Sequence, residues 1–248
     1  MAASRQSAYF VCGGKYHDID FARAEILKLL LEHEQVRTRL AEDYRDIDAL
    51  AASDFLVTYT VDVLPDDAGA VRLRDYVVSG KRWLALHGTN SVLRYVKGQG
   101  WDAPRTAPVF MQTLGSQFVA HPPIAPYLVE PTDPTHALVA GIEPFFADDE
   151  LYLSELHHPI QVLMQTRFAG EAPGFVEHDW SRDDPRPVMY LKQVGAGEVL
   201  YLTLGHARGR FDMLPLMKEY PNVERGSWKE PAFYELLRRC LRWAARLD

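Results

Sequence analysis

Residues 8–87 alternate between two hydrophobic periods, and this alternation constrains the fold more than any other feature of the sequence. Short apolar runs that suit buried strands occur at Ala8–Cys12, Val36–Leu40, Asp54–Val61 and Arg82–His87. Segments with the helical spacing of apolar residues separate them, at Phe21–His33, Ile47–Ala51 and Pro65–Gly80. Strand and helix in turn predict an α/β fold with a mostly parallel sheet and helices on both faces. Ligands of such sheets bind beyond the carboxyl ends of the strands.

The pattern changes in the second half of the chain, where short strands follow one another. Strand-like runs occur at Ile124–Glu130, Leu151–Ser154, Ile160–Thr166, Val188–Val194 and Val199–Thr203. Gly195 and Gly197 predict a hairpin between the last two, and Pro231 begins a final helix. We expect a single domain over residues 1–248, with loops at 98–108 and 167–187 and a long loop excursion at about 208–229.

The charge balance and the apolar pattern limit the partners. A net charge of -7 offers no basic surface for nucleic acid. No run of about 18 apolar residues, the length that a membrane-spanning helix needs, occurs in the sequence. We therefore expect a cytoplasmic protein that binds neither nucleic acid nor membranes. Cys12 and Cys240 are far apart in the sequence and are predicted to be reduced core thiols.

Several histidines follow predicted strand ends or turns, where ligands of an α/β sheet bind. They are His17, His87, His121, His136 and His206. Any one of them alone is typical of a surface or satisfied core histidine. Two or more in one pocket, together with a carboxylate, can bind a divalent metal or act as acid and base near neutral pH. Glu150 is the candidate carboxylate because the apolar strand after it would fix its position, although a solvated acidic triplet is the alternative for Asp148–Glu150.

These residues belong to short fragments that are distinctive in their order and spacing. The fragments include Gly14 with His17-Asp18, Leu86-His87-Gly88, Phe118 with His121-Pro122, Asp133-Pro134 with His136, Asp149-Glu150-Leu151-Tyr152 and Leu204-Gly205-His206. Together they resemble the trehalose-utilisation, or ThuA-like, family over nearly the whole chain. The resemblance implies a flavodoxin-like fold of the class I glutamine amidotransferase-like kind, with an added C-terminal hairpin and helix. Thr89, Ala137 and Tyr190 depart from residues common in the family, which leaves the subfamily open.

Glutamine hydrolysis is not the expected activity. In amidotransferases a nucleophilic cysteine lies at a sharp turn from strand to helix, paired with a histidine after a late strand. Here the corresponding positions are His87 and His206, and Cys12 is predicted to be a core residue. The thiol that a thioester mechanism needs is therefore missing.

The resemblance implies an enzyme of carbohydrate metabolism that acts on trehalose, glucosides or their 3-keto derivatives. We expect His87, Glu150 and His206 to be catalytic, with Glu150 or His206 as base and His87 as acid or electrophile. The expected substrate contacts are His17, Asp18, His121 and Tyr152. Zinc, manganese or iron held by His87, His121, Glu150 and His206 would polarise the substrate instead. No nucleotide cofactor is expected, because Gly13-Gly14 lacks the rest of a dinucleotide fingerprint.

A non-catalytic protein is the second hypothesis. An amidotransferase-like fold that lost its nucleophile can retain a sugar pocket or an interface and become a binding or partner protein. The number of histidines at strand ends favours the enzyme, because a degenerate pocket does not need them. The partner expected in either case is a small sugar or keto-sugar. The segment Arg208–Lys229 is predicted to be a lid or a subunit contact, and the latter would make a homo-oligomer.

Overall fold

The computed structural model describes residues 5–247, which form a nine-stranded mixed sheet with helices on both faces. The strands are β1 (Gln6–Gly14), β2 (Val36–Ala41), β3 (Phe55–Val61), β4 (Arg82–Leu86), β5 (Arg94–Val96), β6 (Gly100–Asp102), β7 (Ser116–Ala120), β8 (Ala125–Pro131), β9 (Phe145–Asp149), β10 (Leu153–Leu156), β11 (Gln161–Glu171), β12 (Asp179–Val194) and β13 (Gly197–Leu202). The α-helices are α1 (Ile19–Leu30), α2 (Ile47–Ala51), α3 (Asp67–Val78), α4 (Pro108–Leu114) and α5 (Pro231–Ala244).

The strand order in the sheet is β2-β1-β3-β4-β13-β12-β11-β8-β9. The strands from β2 to β13 in this order are parallel, which confirms the parallel sheet predicted from the alternating periods. The remaining strands are antiparallel, beginning with the predicted hairpin between β12 and β13. The expected α/β fold, with its added hairpin and C-terminal helix, is therefore confirmed.

The core has two layers, one on each side of the nine-stranded sheet, and a third, smaller cluster around β7 and β10. Alternate residues of β3 show the division, because Phe55, Val57 and Tyr59 pack with α1 and α5 whereas Leu56 packs with α2, α3 and α4. This is the period-two alternation of a strand that is covered on both faces. In α5 the predicted inward stripe from Phe233 to Ala244 is buried.

Both segments predicted as loops contain regular structure, and β6 lies within the first of them, residues 98–108. Residues 167–187 lie largely in β11 and β12, which extend as a long antiparallel arm with pairs such as Gly170 and Trp180. The arm was hidden in the sequence because its residues are mostly exposed and polar, so it lacks the alternation that marks a strand. The short helix α4 also escaped prediction, although Pro108 begins it and Gly115, with a φ of 100°, ends it. Among residues 5–247 no helix has the length and apolar character to cross a membrane.

Candidate functional site

Four residues that follow different strands meet at the carboxyl edge of the sheet. His17 follows β1, His87 follows β4 and His206 follows β13, and these parallel strands direct their carboxyl ends to one edge. Glu150 follows β9 and joins them from the antiparallel side. All four side chains are buried, and one ligand atom from each lies within 4.8 Å of the others. We call these four residues the His/Glu cluster.

The contacts inside the His/Glu cluster are short. The Nε2 atom of His17 lies 2.8 Å from Nε2 of His87 and 3.3 Å from Nδ1 of His206. The Glu150 carboxylate approaches His206 Nδ1 at 3.1 Å and the Nε2 atoms of His17 and His87 at 3.6 Å each. Nitrogen and oxygen ligands around a tetrahedral zinc ion, each about 2.0–2.1 Å from the metal, lie roughly 3.3 Å apart. The spacing of these atoms therefore fits a shared small cation.

The outer nitrogen of each ring has an acceptor that fixes its proton. His87 Nδ1 donates to the Thr203 carbonyl at 2.9 Å, and His17 Nδ1 donates to the Lys15 carbonyl at 3.2 Å. His206 Nε2 donates to the Glu224 carboxylate at 2.8 Å. Because a neutral imidazole has one proton, these bonds leave the inner nitrogen of each neutral ring as a lone pair directed into the cluster. When His206 is protonated, its second proton lies on Nδ1, 3.1 Å from the Glu150 carboxylate. Metal-ligating histidines have this arrangement of outer donors and inner acceptors.

Burial and charge set the protonation of the cluster. Burial opposes the charge on His206, but the carboxylates of Glu150 and Glu224 outweigh it and raise its pKa to about 9. Burial also opposes ionisation of Glu150, yet His206, His121 and His17 together hold the pKa of this carboxyl well below its usual value. Burial lowers the pKa values of His17 and His87. The metal-free cluster thus holds an anionic Glu150 beside a protonated His206, with two neutral rings next to them.

His87 lies at a sharp turn where β4 enters a short 3-10 turn, His87–Asn90. Its φ of 46° is in the left-handed region, which non-glycine residues rarely adopt and which occurs at functional sites. The next residue must be glycine, because a Cβ on Gly88 would lie 2.3 Å from Val61 Cγ2 and 2.8 Å from the Thr60 carbonyl oxygen. His87 therefore lies at the sharp turn after a strand that the sequence analysis predicted for this position.

A cavity of about 310 Å³ opens above the cluster. Its walls are mostly aromatic and apolar, with polar atoms from His17, His121, Glu150, Tyr152 and Arg208. One wall is formed by β6 and the turn between β11 and β12, where the backbone N–H of Trp101 donates to the Gly174 carbonyl at 2.7 Å. Residues 209–223 contribute Met213 and Tyr220 to another wall, and the base of this segment is closed by backbone hydrogen bonds of 3.0 and 2.8 Å between Arg208 and Glu224.

The predicted site residues separate into those at the cluster, those at the cavity and those elsewhere. His87 and His206 lie behind the cavity wall, and neither lines the cavity. Tyr152 lines it, with its hydroxyl 3.3 Å from His87 Nε2. His121 lines it too, with Nε2 3.7 Å from the Glu150 carboxylate.

The structure places three of the candidate residues outside the group of converging ligand atoms. His121 was expected among the metal ligands, but the group of converging ligand atoms contains His17 in its place. Asp18 was expected to contact substrate, but its carboxylate caps α1 at Phe21 N–H and pairs with Arg225, and it does not line this cavity. His136 lies in a separate pocket beside Arg82 and Trp243.

Glu224 and Arg208 belong to the site although sequence reasoning did not identify them. The Glu224 carboxylate accepts from His206 Nε2, from Arg208 Nη1 at 2.9 Å and from the Tyr220 hydroxyl at 2.9 Å. Arg208 Nη2 lies 3.3 Å from the Glu150 carboxylate. Both residues come from the excursion at 208–229, which has no periodicity, so only the nearness of Arg208 to His206 in the sequence pointed to them.

Comparisons with known proteins agree with this fold. A family model described as "ThuA: Trehalose utilisation" matches residues 9–218. A ThuA-like protein from Bacteroides uniformis has 17% identity and a TM-score of 0.68, with 98% of this chain and 93% of that chain covered. A second, from Parabacteroides merdae, has 15% identity and a TM-score of 0.61, with 99% and 91% covered.

A cold-adapted β-galactosidase from a Rahnella species has 13% identity and a TM-score of 0.58 over 99% of this chain, but only 32% of the galactosidase is covered. At these identities the structures show the fold alone. The comparison with curated proteins finds no match. The family model covers most of the sequence, which confirms the resemblance inferred from the fragments: the chain belongs to the ThuA, or trehalose-utilisation, family.

Proposed function

We propose that this protein is an enzyme of carbohydrate metabolism that binds a sugar in the cavity above the His/Glu cluster and acts on it with a divalent metal. His17, His87, Glu150 and His206 are the proposed ligands. The observation that carries the proposal is the orientation of the three rings, each with its outer nitrogen donating and its inner nitrogen directed into the cluster. Imidazole and carboxylate donors suit zinc, manganese or iron(II).

The ligands divide between the cavity and the protein interior. His17 and Glu150 line the cavity, whereas His87 and His206 lie behind its wall and would bind the metal from the protein interior. When bound, the metal would supply Lewis-acid polarisation of a carbonyl or hydroxyl oxygen of the sugar. The proton-transfer roles expected for His87 and His206 therefore pass to groups that a substrate can touch.

His121 is the proposed acid or base on the substrate side. Its side chain is 23% exposed, it lines the cavity, and its Nε2 lies 3.7 Å from the Glu150 carboxylate. Its Nδ1 lies 2.7 Å from the Pro122 carbonyl oxygen, which directs Nε2 toward the site. Trp101 and Phe175 offer apolar faces to a sugar ring. A keto-sugar suits this set, because a carbonyl acidifies the neighbouring C–H that a base removes.

The experiment combines metal content with turnover. Protein purified without an affinity tag is expected to contain about one equivalent of metal, and incubation with 3-keto-trehalose or a 3-keto-glucoside is expected to give α-proton exchange or product by NMR. Protein stripped with a chelator and His136→Ala protein are the controls, since His136 lies outside the site. Full activity of the metal-free protein would refute the proposed role of a metal in the reaction. Binding of the sugar without exchange or product would favour the non-catalytic sugar-binding protein.

A further inference from the structure

Asp149 is a buried carboxylate that binds the backbone of the site. Its side chain is 1% exposed, and it accepts backbone N–H groups from Glu150 at 2.8 Å, Gly205 at 2.9 Å, His206 at 3.1 Å and Ser227 at 2.9 Å. Hydrogen bonds from N–H groups to an ionised carboxylate are roughly twice as strong as neutral ones. One side chain thus joins the end of β9, the loop after β13 and the segment that returns toward α5.

The returning segment fits closely around this carboxylate. Gly226 has a φ of 40°, and a Cβ at this position would lie 2.9 Å from Asp149 Oδ2 and 2.5 Å from the His206 carbonyl oxygen. The approach therefore leaves no space for a side chain. The three segments therefore pack directly against this carboxylate and donate hydrogen bonds to it.

We infer that Asp149 is the positioning residue that sets the spacing between Glu150 and His206, and the inference rests on the proposed metal chemistry of these two residues. Both are held by their backbone N–H groups to Asp149 Oδ1, and their side chains meet with His206 Nδ1 3.1 Å from the Glu150 carboxylate. Two ligands that come from distant parts of the chain are thereby fixed to one atom. Groups that orient metal ligands in this way alter metal affinity when they are changed.

The substitution Asp149→Asn is informative because the amide cannot replace the carboxylate. Oδ1 accepts from Glu150 and His206, and Oδ2 accepts from Gly205 and Ser227, with the His206 N–H also 3.3 Å from Oδ2. An asparagine has one acceptor oxygen, so in either orientation its NH₂ group points at two N–H donors. The neighbouring Asp148→Asn is the matched control, since Asp148 is exposed on the opposite face of β9.

The test uses cobalt(II), whose visible absorption reports the geometry of its ligands. We expect Asp149→Asn to bind cobalt(II) on the order of 10- to 100-fold more weakly than the wild type, with an altered spectrum and an unchanged far-UV circular dichroism. Asp148→Asn is expected to match the wild type in affinity and spectrum. An Asp149→Asn protein with wild-type affinity and spectrum would overturn the inference.

Amide hydrogen exchange in the wild type tests the same inference without relying on a folded variant or on a metal. The amides of Gly205, His206 and Ser227 lie outside the α-helices and strands, and we expect them to exchange as slowly as amides of the central strands. Exchange at the rate of exposed loop amides would overturn the inference. If the wild type binds no cobalt(II), the proposed metal chemistry fails, while slow exchange at these amides still supports Asp149 as the group that positions the two segments.

Discussion

The Nε2 atoms of His17 and His87 lie 2.8 Å apart, although the single N–H of each neutral ring is at Nδ1 and donates to a backbone carbonyl. Two lone pairs at this distance repel each other unless a proton or a cation lies between them. Burial disfavours a proton there, because it lowers the pKa of both rings. The arrangement therefore favours a cation whose charge Glu150 balances.

The two sets of ligands that sequence and structure suggest can be separated by substitution. We expect His17→Ala to lose most of its bound metal, because His17 contributes the nitrogen at the centre of the cluster. His121→Ala is expected to retain the metal and to lose turnover by about 100-fold or more, as for a missing acid or base. Elemental analysis and the keto-sugar assay measure the two effects. Retention of metal by His17→Ala with loss in His121→Ala would restore the set expected from the sequence.

Metal affinity is expected to increase with pH. In the metal-free protein the pKa of His206 is raised to about 9, so below this pH the ring is protonated and a metal must displace the proton. Displacement of one proton gives an increase of about tenfold per pH unit from neutral pH up to the pKa, and a plateau above it. Competition with a chelating dye at several pH values measures the slope. An affinity that does not change over this range would contradict His206 as a ligand.

Glu224 is expected to matter for the metal although it is not a ligand. Its carboxylate holds the His206 ring through Nε2, and Glu224→Gln replaces one of the acceptor oxygens by a donor. We expect a loss of metal affinity on the order of 10- to 100-fold. Glu219→Gln is the control from the same segment, because Glu219 is exposed and pairs only with Arg210 among the contacts described. Equal affinities in the two variants would show that the outer hydrogen bond of His206 is unimportant.

The two thiols are expected to be inert in the folded protein. Burial raises the pKa of Cys12 to about 12 and also raises the pKa of Cys240, so neither forms a thiolate near neutral pH. A thiol reagent such as Ellman's reagent should modify both residues only after unfolding, and glutamine should release no glutamate. Rapid modification of the native protein, or glutaminase activity that Cys12→Ala removes, would contradict this prediction.

The sequence predicted the edge at which the site lies better than it predicted the contacts within it. Parallel strands direct their carboxyl ends to the same edge, so the positions of His87 and His206 after β4 and β13 followed from periodicity. The inclusion of His17 in the cluster rather than His121 did not follow. His121 comes after β7, which pairs with β10 in a separate two-stranded sheet, and this sheet places His121 outside the cluster.

Contacts that depend on aperiodic segments were not predictable. Glu224 reaches His206 because the chain after β13 leaves the sheet and returns, and no spacing of apolar residues records that path. The arm of β11 and β12 is a similar case, since most of its residues are exposed and only a few, such as Phe168 and Trp180, pack against a buried cluster. Sequence periodicity reports burial at regular spacing, and in these segments the buried residues do not recur at such a spacing.

The backbone hydrogen bonds between Arg208 and Glu224 separate a segment of the cavity wall from the His/Glu cluster below it. Residues 209–223 contribute Met213 and Tyr220 to the wall, yet both ends of this loop are fixed by the same pair of backbone hydrogen bonds. The cost of closing a loop increases only slowly with its length. The length and composition of residues 209–223 can therefore be varied to alter substrate range without changing the sheet, provided that Tyr220, whose hydroxyl donates to the Glu224 carboxylate beside His206, is kept.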